Sequence, residues 1–330
     1  MEKRQIAKII AAFLAFSGVT LFADEGKKAK DTSPLKLKLT TDLAYYPESE
    51  VKPGRGTCFA PITGPYHSIE CRTTFNADYK IDTPLGEHWL LSDANMILSG
   101  ALELTPVSVR PKISVGFQPL PFFVVKGGSS VGFGWNYLNF GGLRKFNAEE
   151  REYENTATFS HPYYDFWGQA MLMFDTGALV PGDWNHVLML ASFTASYSAI
   201  AGIDKHEAYE WQCSKNKVSG AQYEAQALVA YQMPLILSMA GFMYTADGHF
   251  YGSDYGDLNK SYRGNFVTHS ISPVLQFTLS EKDELFCLFN FSSRRRFRDK
   301  LEKEEDKLFM KTRGREWFFN RLALSWTHKF

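Results

Sequence analysis

From Phe318 to Phe330 the chain reads FFNRLALSWTHKF. Every second residue counted from the end is Phe330, His328, Trp326, Leu324, Leu322, Asn320 and Phe318, with Lys329, Thr327, Ser325, Ala323, Arg321 and Phe319 between them. Successive side chains on a strand point to opposite faces, so this segment carries one mainly apolar, aromatic face and one mainly polar face; a helix would scatter both sets around its axis. The same alternation recurs in Leu35, Leu37, Leu39, Thr41, Leu43 and Tyr45 against Lys36, Lys38, Thr40, Asp42, Ala44 and Tyr46. It recurs again over residues 69–82, 107–118 and 222–233. These segments are long for strands of soluble proteins, which peak near about 5 to 6 residues, and match the about 9 to 11 residues that a tilted strand needs to cross a hydrocarbon layer.

The connections fix a topology. Long polar stretches (298–314, 248–265, 202–220, 141–162 and 46–65) alternate with short ones (280–284, 233–235, 178–184, 119–129 and 82–88), and Thr105 and Pro106 make one short connection on the long-loop side. Long loops at one end and tight turns at the other predict a transmembrane antiparallel up-and-down β-barrel of about 12 strands, with 10 to 14 compatible with the same pattern, and both chain ends on the short-turn side. The stretch 119–126 reads as a turn or an inward plug, and 127–134 as either turn or strand.

A secreted β-sandwich also alternates its faces, but its inner face is dry. Here the polar faces carry charges of both signs. A barrel would direct Lys36, Lys38, Asp42, Glu70, Arg72, Asp78, Lys80, Asp93, Arg110, Lys112, Asp165, Glu224 and Arg321 into its lumen. Mixed signs fit a small water-filled pore or an interior closed by cross-strand ion pairs, and argue against strong ion selectivity.

Composition refines this picture. The 330 residues are 45% hydrophobic and carry 36 basic against 36 acidic side chains, which excludes disorder of the whole chain and gives no basic excess for a nucleic-acid partner. The aromatic share, 15%, is high for a soluble enzyme; Trp89, Trp184, Trp317, Trp326, Tyr45, Tyr231 and Phe330 fall on the lipid face or near strand ends, where aromatic girdles sit. Residues 1–23 pair Lys3, Arg4 and Lys8 with an apolar run from Ile9 to Phe22, the order of a secretory signal peptide; 24–34 then reads as a short periplasmic segment and 35–330 as the barrel. Four widely spaced cysteines exclude zinc and thioredoxin spacings, and Cys58 and Cys213, both in expected loops, are the candidate disulfide.

The signal segment, the alternating strands and the terminal LALSWTHKF resemble bacterial outer-membrane β-barrel proteins, porins among them, and the stretch LELTPVSVRPKISVGFQPLPFF is similar to uncharacterised barrels of spirochaete type. The resemblance implies an outer-membrane location, contact with outer-membrane lipid, and a terminal signal of Phe330, Trp326, Leu324 and Leu322 that the barrel-assembly machinery reads. His328 stands where Tyr or Phe is more usual.

Enzymatic patterns known on barrels are not matched. Among the histidines none has Ser at i+2, as a barrel phospholipase resembling the outer-membrane type requires, and Asp-x-Asp, needed beside Asp247-x-His249 for an omptin-like protease, is missing from the sequence. Gly127, Gly128, Gly132 and Gly134 lack a following Gly-Lys-Ser/Thr, so they mark close strand packing rather than a phosphate loop. Arg294, Arg295, Arg296 and Arg298 read as a solvated strand end, with anion binding as the sharper alternative. No cofactor or metal is expected. The sequence therefore points to a small passive channel for polar solutes, with a non-conducting surface or adhesion barrel as the alternative.

Overall fold

A computed structural model describes residues 33–88, 90–138 and 140–330. The expected signal peptide at 1–23, most of the segment 24–34, and Trp89 lie outside the described residues. The twelve long strands are β1 (Leu35–Glu48), β2 (Gly64–Asp82), β3 (Asn95–Thr105), β4 (Ser108–Leu120), β5 (Phe123–Gly134), β6 (Tyr163–Asp175), β7 (His186–Ile200), β8 (Gly220–Gln232), β9 (Leu237–His249), β10 (Thr268–Thr278), β11 (Asp283–Phe297) and β12 (Thr312–Lys329). Each pairs antiparallel with its neighbour in sequence, and β1 pairs with β12 from Lys38↔Lys329 to Tyr45↔Leu322, so the sheet closes into a twelve-stranded barrel. No helix among the described residues is long and apolar enough to cross a membrane.

Alternation is resolved into an inside and an outside. Along β1, Lys38, Thr40, Asp42 and Ala44 are buried while Leu43 and Tyr45 are exposed. Phe166, Phe193, Val229, Phe242 and Ile271 are among the large side chains left exposed on other strands. An outer face this apolar is stable only against lipid or another apolar phase, and closure leaves no unpaired strand edge for lipid to meet.

Several connections differ from the sequence expectation. The turn expected over 119–129 is only residues 121–122, and β5 runs through the glycines to Gly134. Those glycines make room for rings: a Cβ on Gly128 would lie 2.7 Å from the indole of its register partner Trp167, and one on Gly132 would lie 2.6 Å from Trp211. At the seam, β1 separates from β12 beyond Tyr45, and the short strand Gly56–Phe59 pairs parallel to Gly314–Trp317 in its place. Glu316, fully buried, anchors this first loop by accepting from the Lys52 backbone N–H (3.0 Å) and from Arg294 (2.7 Å). All four cysteines are free, so the candidate Cys58–Cys213 bond is not formed. Cys58 instead lies against Glu316, at 3.8 Å.

The interior is not uniformly polar. Val124, Met171, Met173, Leu188, Leu190, Leu228, Met239, Val274, Phe286 and Leu288, inward-facing near the short-turn ends of β5 to β11, form one buried apolar cluster with Ala230, Met243 and Ala323. Apolar side chains thus occupy that side of the lumen.

Candidate functional site: a polar lumen beneath a folded cap

Beside the apolar filling, β12 and β1 to β4 present a polar wall. Asp42 on β1 accepts two hydrogen bonds from Arg72 on β2 (2.9 and 2.7 Å) and one from Ser325 on β12 (2.6 Å). Glu103 on β3, 1% exposed, accepts from Lys112 of β4 at 2.6 Å and lies 3.8 Å from Arg72. Arg110 donates to Ser130 of β5 (2.6 Å) and to Asp165 of β6 (2.7 Å), and Ser130 also donates to Asp165. Lys38 pairs with Asp78 at 3.3 Å, and Ser99 donates to the same carboxylate. Each link joins neighbouring or next-neighbouring strands, so the charges form a ladder around the wall, and charge-assisted bonds of this length hold them in place.

Of the residues expected in the lumen, Lys38, Asp42, Arg72, Asp78, Arg110, Lys112 and Asp165 are members of this ladder. Glu224 faces the same cavity from β8. Glu70 and Arg321 meet at Tyr46, which donates to Glu70 (2.7 Å) and accepts from Arg321 (3.0 Å). Lys36 shares this inward face at the short-turn end, opposite Asp78, while Lys80 is exposed there beside Asp82 at 3.2 Å. Asp93 is a correction: it is exposed in the connection between β2 and β3, because that turn extends to Ala94 and the strand starts only at Asn95. Glu103, Lys126, Lys217 and Asp247 were missed. NMILSGALELT hides the β3 alternation, since small or apolar residues occupy both faces around Glu103.

A cavity of about 590 Å³ follows the ladder. Its lining reaches from Tyr255, Phe266 and Arg295 at the long-loop end to Lys38 and Thr327, near the short-turn ends of β1 and β12. Trp167 and Tyr163 add aromatic surface, and Asp247 and His249 line its outer part from the end of β9.

Above this cavity the long loops fold against one another. Glu152–Asn155, Leu143–Asn147, Tyr209–Trp211 and Ser214–Lys217 make a four-stranded sheet drawn from two loops. Phe146, Ala208, Val218, Tyr255, Tyr262, Phe297 and Leu308 form a second apolar core from four loop regions. Burial pushes the Tyr153 and Tyr255 hydroxyls well above the ordinary phenol range. Burial also opposes charge on Glu305, yet the hydrogen bond from Lys215 (2.7 Å) holds its carboxyl below its ordinary value.

The hairpin within 209–217 reaches from the β7–β8 loop to the opposite wall. Its two-residue tip, Gln212 and Cys213, has φ of 49° and 62°, the left-handed pair that the tightest hairpin turn requires. Neither residue is glycine, and the strain is offset by backbone bonds of both N–H groups to Gly142 and Gly141 (2.9 Å each). Gln212 then donates to Glu103 (3.0 Å) and Ser108 (2.9 Å), while Trp211 stacks on Tyr163 at 4.7 Å. The cap is therefore bolted onto the charged ladder itself.

The terminal segment is also defined. Leu324, Trp326 and Phe330 are exposed on the outside, with Leu322 on the same face, and the Phe330 N–H donates to Leu37 of β1 (3.2 Å). His328 bonds to Asp283 at 2.8 Å, and Trp326 donates to the same carboxylate at 3.1 Å.

No protein-family model and no curated protein matches this chain. Solved structures similar to it are the NanC porin (8% identity, 88% of this chain and 100% of that chain, TM-score 0.39) and the KdgM porin (7%, 89% and 99%, 0.35). The outer membrane channel DcaP of Acinetobacter baumannii is similar as well (11%, 93% and 100%, 0.34). The chain itself is a closed, all-β, twelve-stranded up-and-down barrel.

Proposed function

We propose that the protein is an outer-membrane barrel that passes small polar solutes through a narrow, off-axis channel along its charged wall. The observation that carries this reading is the course of the cavity, whose polar lining extends from the cap to within a few residues of the short-turn end. Fixed ion pairs supply hydrogen-bonding sites for a solute that sheds part of its hydration shell, and the apolar filling on β5 to β11 confines passage to one side. The apolar outer face supplies the bilayer fit. Purified protein reconstituted in planar bilayers is expected to give small, stable conductance steps. A correctly folded barrel that stays silent overturns the channel reading and favours the capped, non-conducting surface barrel, for which the packed loop core speaks.

The exposed terminal face of Leu322, Leu324, Trp326 and Phe330 serves, in this reading, as the segment bound by the barrel-assembly machinery. Deleting Phe330 is expected to lower surface-assembled protein severalfold. The deletion removes one edge contact to β1, so the purified barrel should still refold in detergent. Normal surface levels in that mutant would contradict the role.

A further inference from the structure

On the lipid-facing side of β9 to β12, near the long-loop rim, lies a cationic patch that the channel does not use. Tyr244 and Ile271 are exposed, and the register partners Ala246 and His269 share their outer face. On β12, Glu316 is buried within the barrel mouth, so its neighbour Arg315 falls on the outer face, whereas the register shift between Arg296 and Phe297 breaks the alternation at Arg313. Tyr244 and His269 are stacked, with the hydroxyl 2.7 Å from Nδ1. Arg315 donates to Ser293 and lies over the Phe266 ring at 4.5 Å. Its register partner Arg295 is held at the rim by the Tyr262 and Arg263 carbonyls. No carboxylate pairs with Arg315 among the described residues. Directly below, Phe242, Ile271 and Phe289 continue the exposed apolar belt.

Guanidinium groups on the lipid side of a barrel are costly within the hydrocarbon and tolerated only near the interface, where an anion can neutralise them. We propose that Arg315, with His269 and Tyr244, forms a binding site for the phosphate of an anionic lipid, whose acyl chains lie along Phe242, Ile271 and Phe289. Arginine forks match phosphate oxygens bidentately, and the belt supplies the second half of the recognition. The site depends on the barrel standing in a membrane and not on its conducting.

The test uses the whole purified barrel in detergent, with retained lipid read by native mass spectrometry. Dioleoyl phosphatidic acid is expected to stay bound where dioleoyl phosphatidylcholine does not. R315Q is expected to weaken its retention about tenfold, the loss of a charge-assisted pair, with unchanged single-channel conductance and unchanged heat-modifiable mobility. R315K, which keeps the charge but not the fork, should fall between the two. Equal retention by R315Q, equal binding of phosphatidylcholine, or full displacement by inorganic phosphate would each overturn the assignment, the last by showing a site for free anion only. Should R315Q fail to fold, R315K against wild type decides: undiminished retention by R315K overturns the phosphate fork.

Discussion

Replacing the hairpin residues 209–217 with a short flexible linker is expected to raise single-channel conductance severalfold. The hairpin crosses the mouth, places Lys217 on the cavity wall and bolts its tip to Glu103 and Ser108 through Gln212. With it gone, the outer half of the cavity opens toward solvent while the twelve strands keep their ladder bonds. Each hydrogen bond in such an anchor contributes about 1 kcal/mol, so Gln212→Ala alone should loosen the cap without removing it and produce flickering between two conductance levels. Single-channel recording checks both. Identical conductance in wild type and the hairpin replacement would place the narrowest point below the cap, among the apolar side chains of β5 to β11.

Neutralising Glu103 is expected to have the largest effect on selectivity. Its carboxylate is 1% exposed, accepts from Lys112 and Gln212 and lies beside Arg72, so Glu103→Gln leaves an uncompensated ammonium on the channel wall. Removing one partner of a buried pair costs about 3 to 5 kcal/mol, because the remaining charge loses its counter-charge without regaining water. Two readouts follow: reversal potentials under a salt gradient should move toward anion preference, and the folded form on unboiled gels should convert to the unfolded form at a lower temperature. Replacing both partners, Glu103→Gln with Lys112→Met, should recover most of the lost stability and return the reversal potential toward that of the wild type. Strictly additive losses in the double variant would show that the two side chains are not coupled and that the ladder is not the selectivity element.

Why the ladder was legible and the filling was not follows from how alternation reads. Where a lumen-facing residue is charged and its neighbour apolar, as in Lys36 to Tyr45 or Arg110 to Lys112, period two stands out and places the side chain inside. Near the short-turn ends of β6, β7 and β11, both faces are apolar: Met171 and Met173 point in while Leu172 and Phe174 point out, and Leu188 and Leu190 point in while Met189 points out. Burial in a packed interior and burial in lipid select the same residue types, so the sequence carries no sign of which apolar face is which. Asp93 failed for a different reason, since the length of a turn depends on how the flanking strands are staggered and not on the polarity of one residue.

The loops show the same division. Their polarity and length were plain in the sequence, and their number gave the strand count. Their joining into one cap depends on pairing between segments more than fifty residues apart, such as Tyr209 with Lys145, and on Trp211 finding the space that Gly132 leaves. The sequence by itself therefore determined the barrel, a count of about twelve strands with ten to fourteen open, and most of its charged wall, because period-two alternation and loop length are local properties written residue by residue. Only the tertiary structure decided that one side of the lumen is filled, that the hairpin is bolted to Glu103, that Cys58 and Cys213 stay apart, and that Arg315 faces the lipid. Those outcomes depend on strand stagger and on contacts across the barrel, where residues distant in the chain compete for the same space.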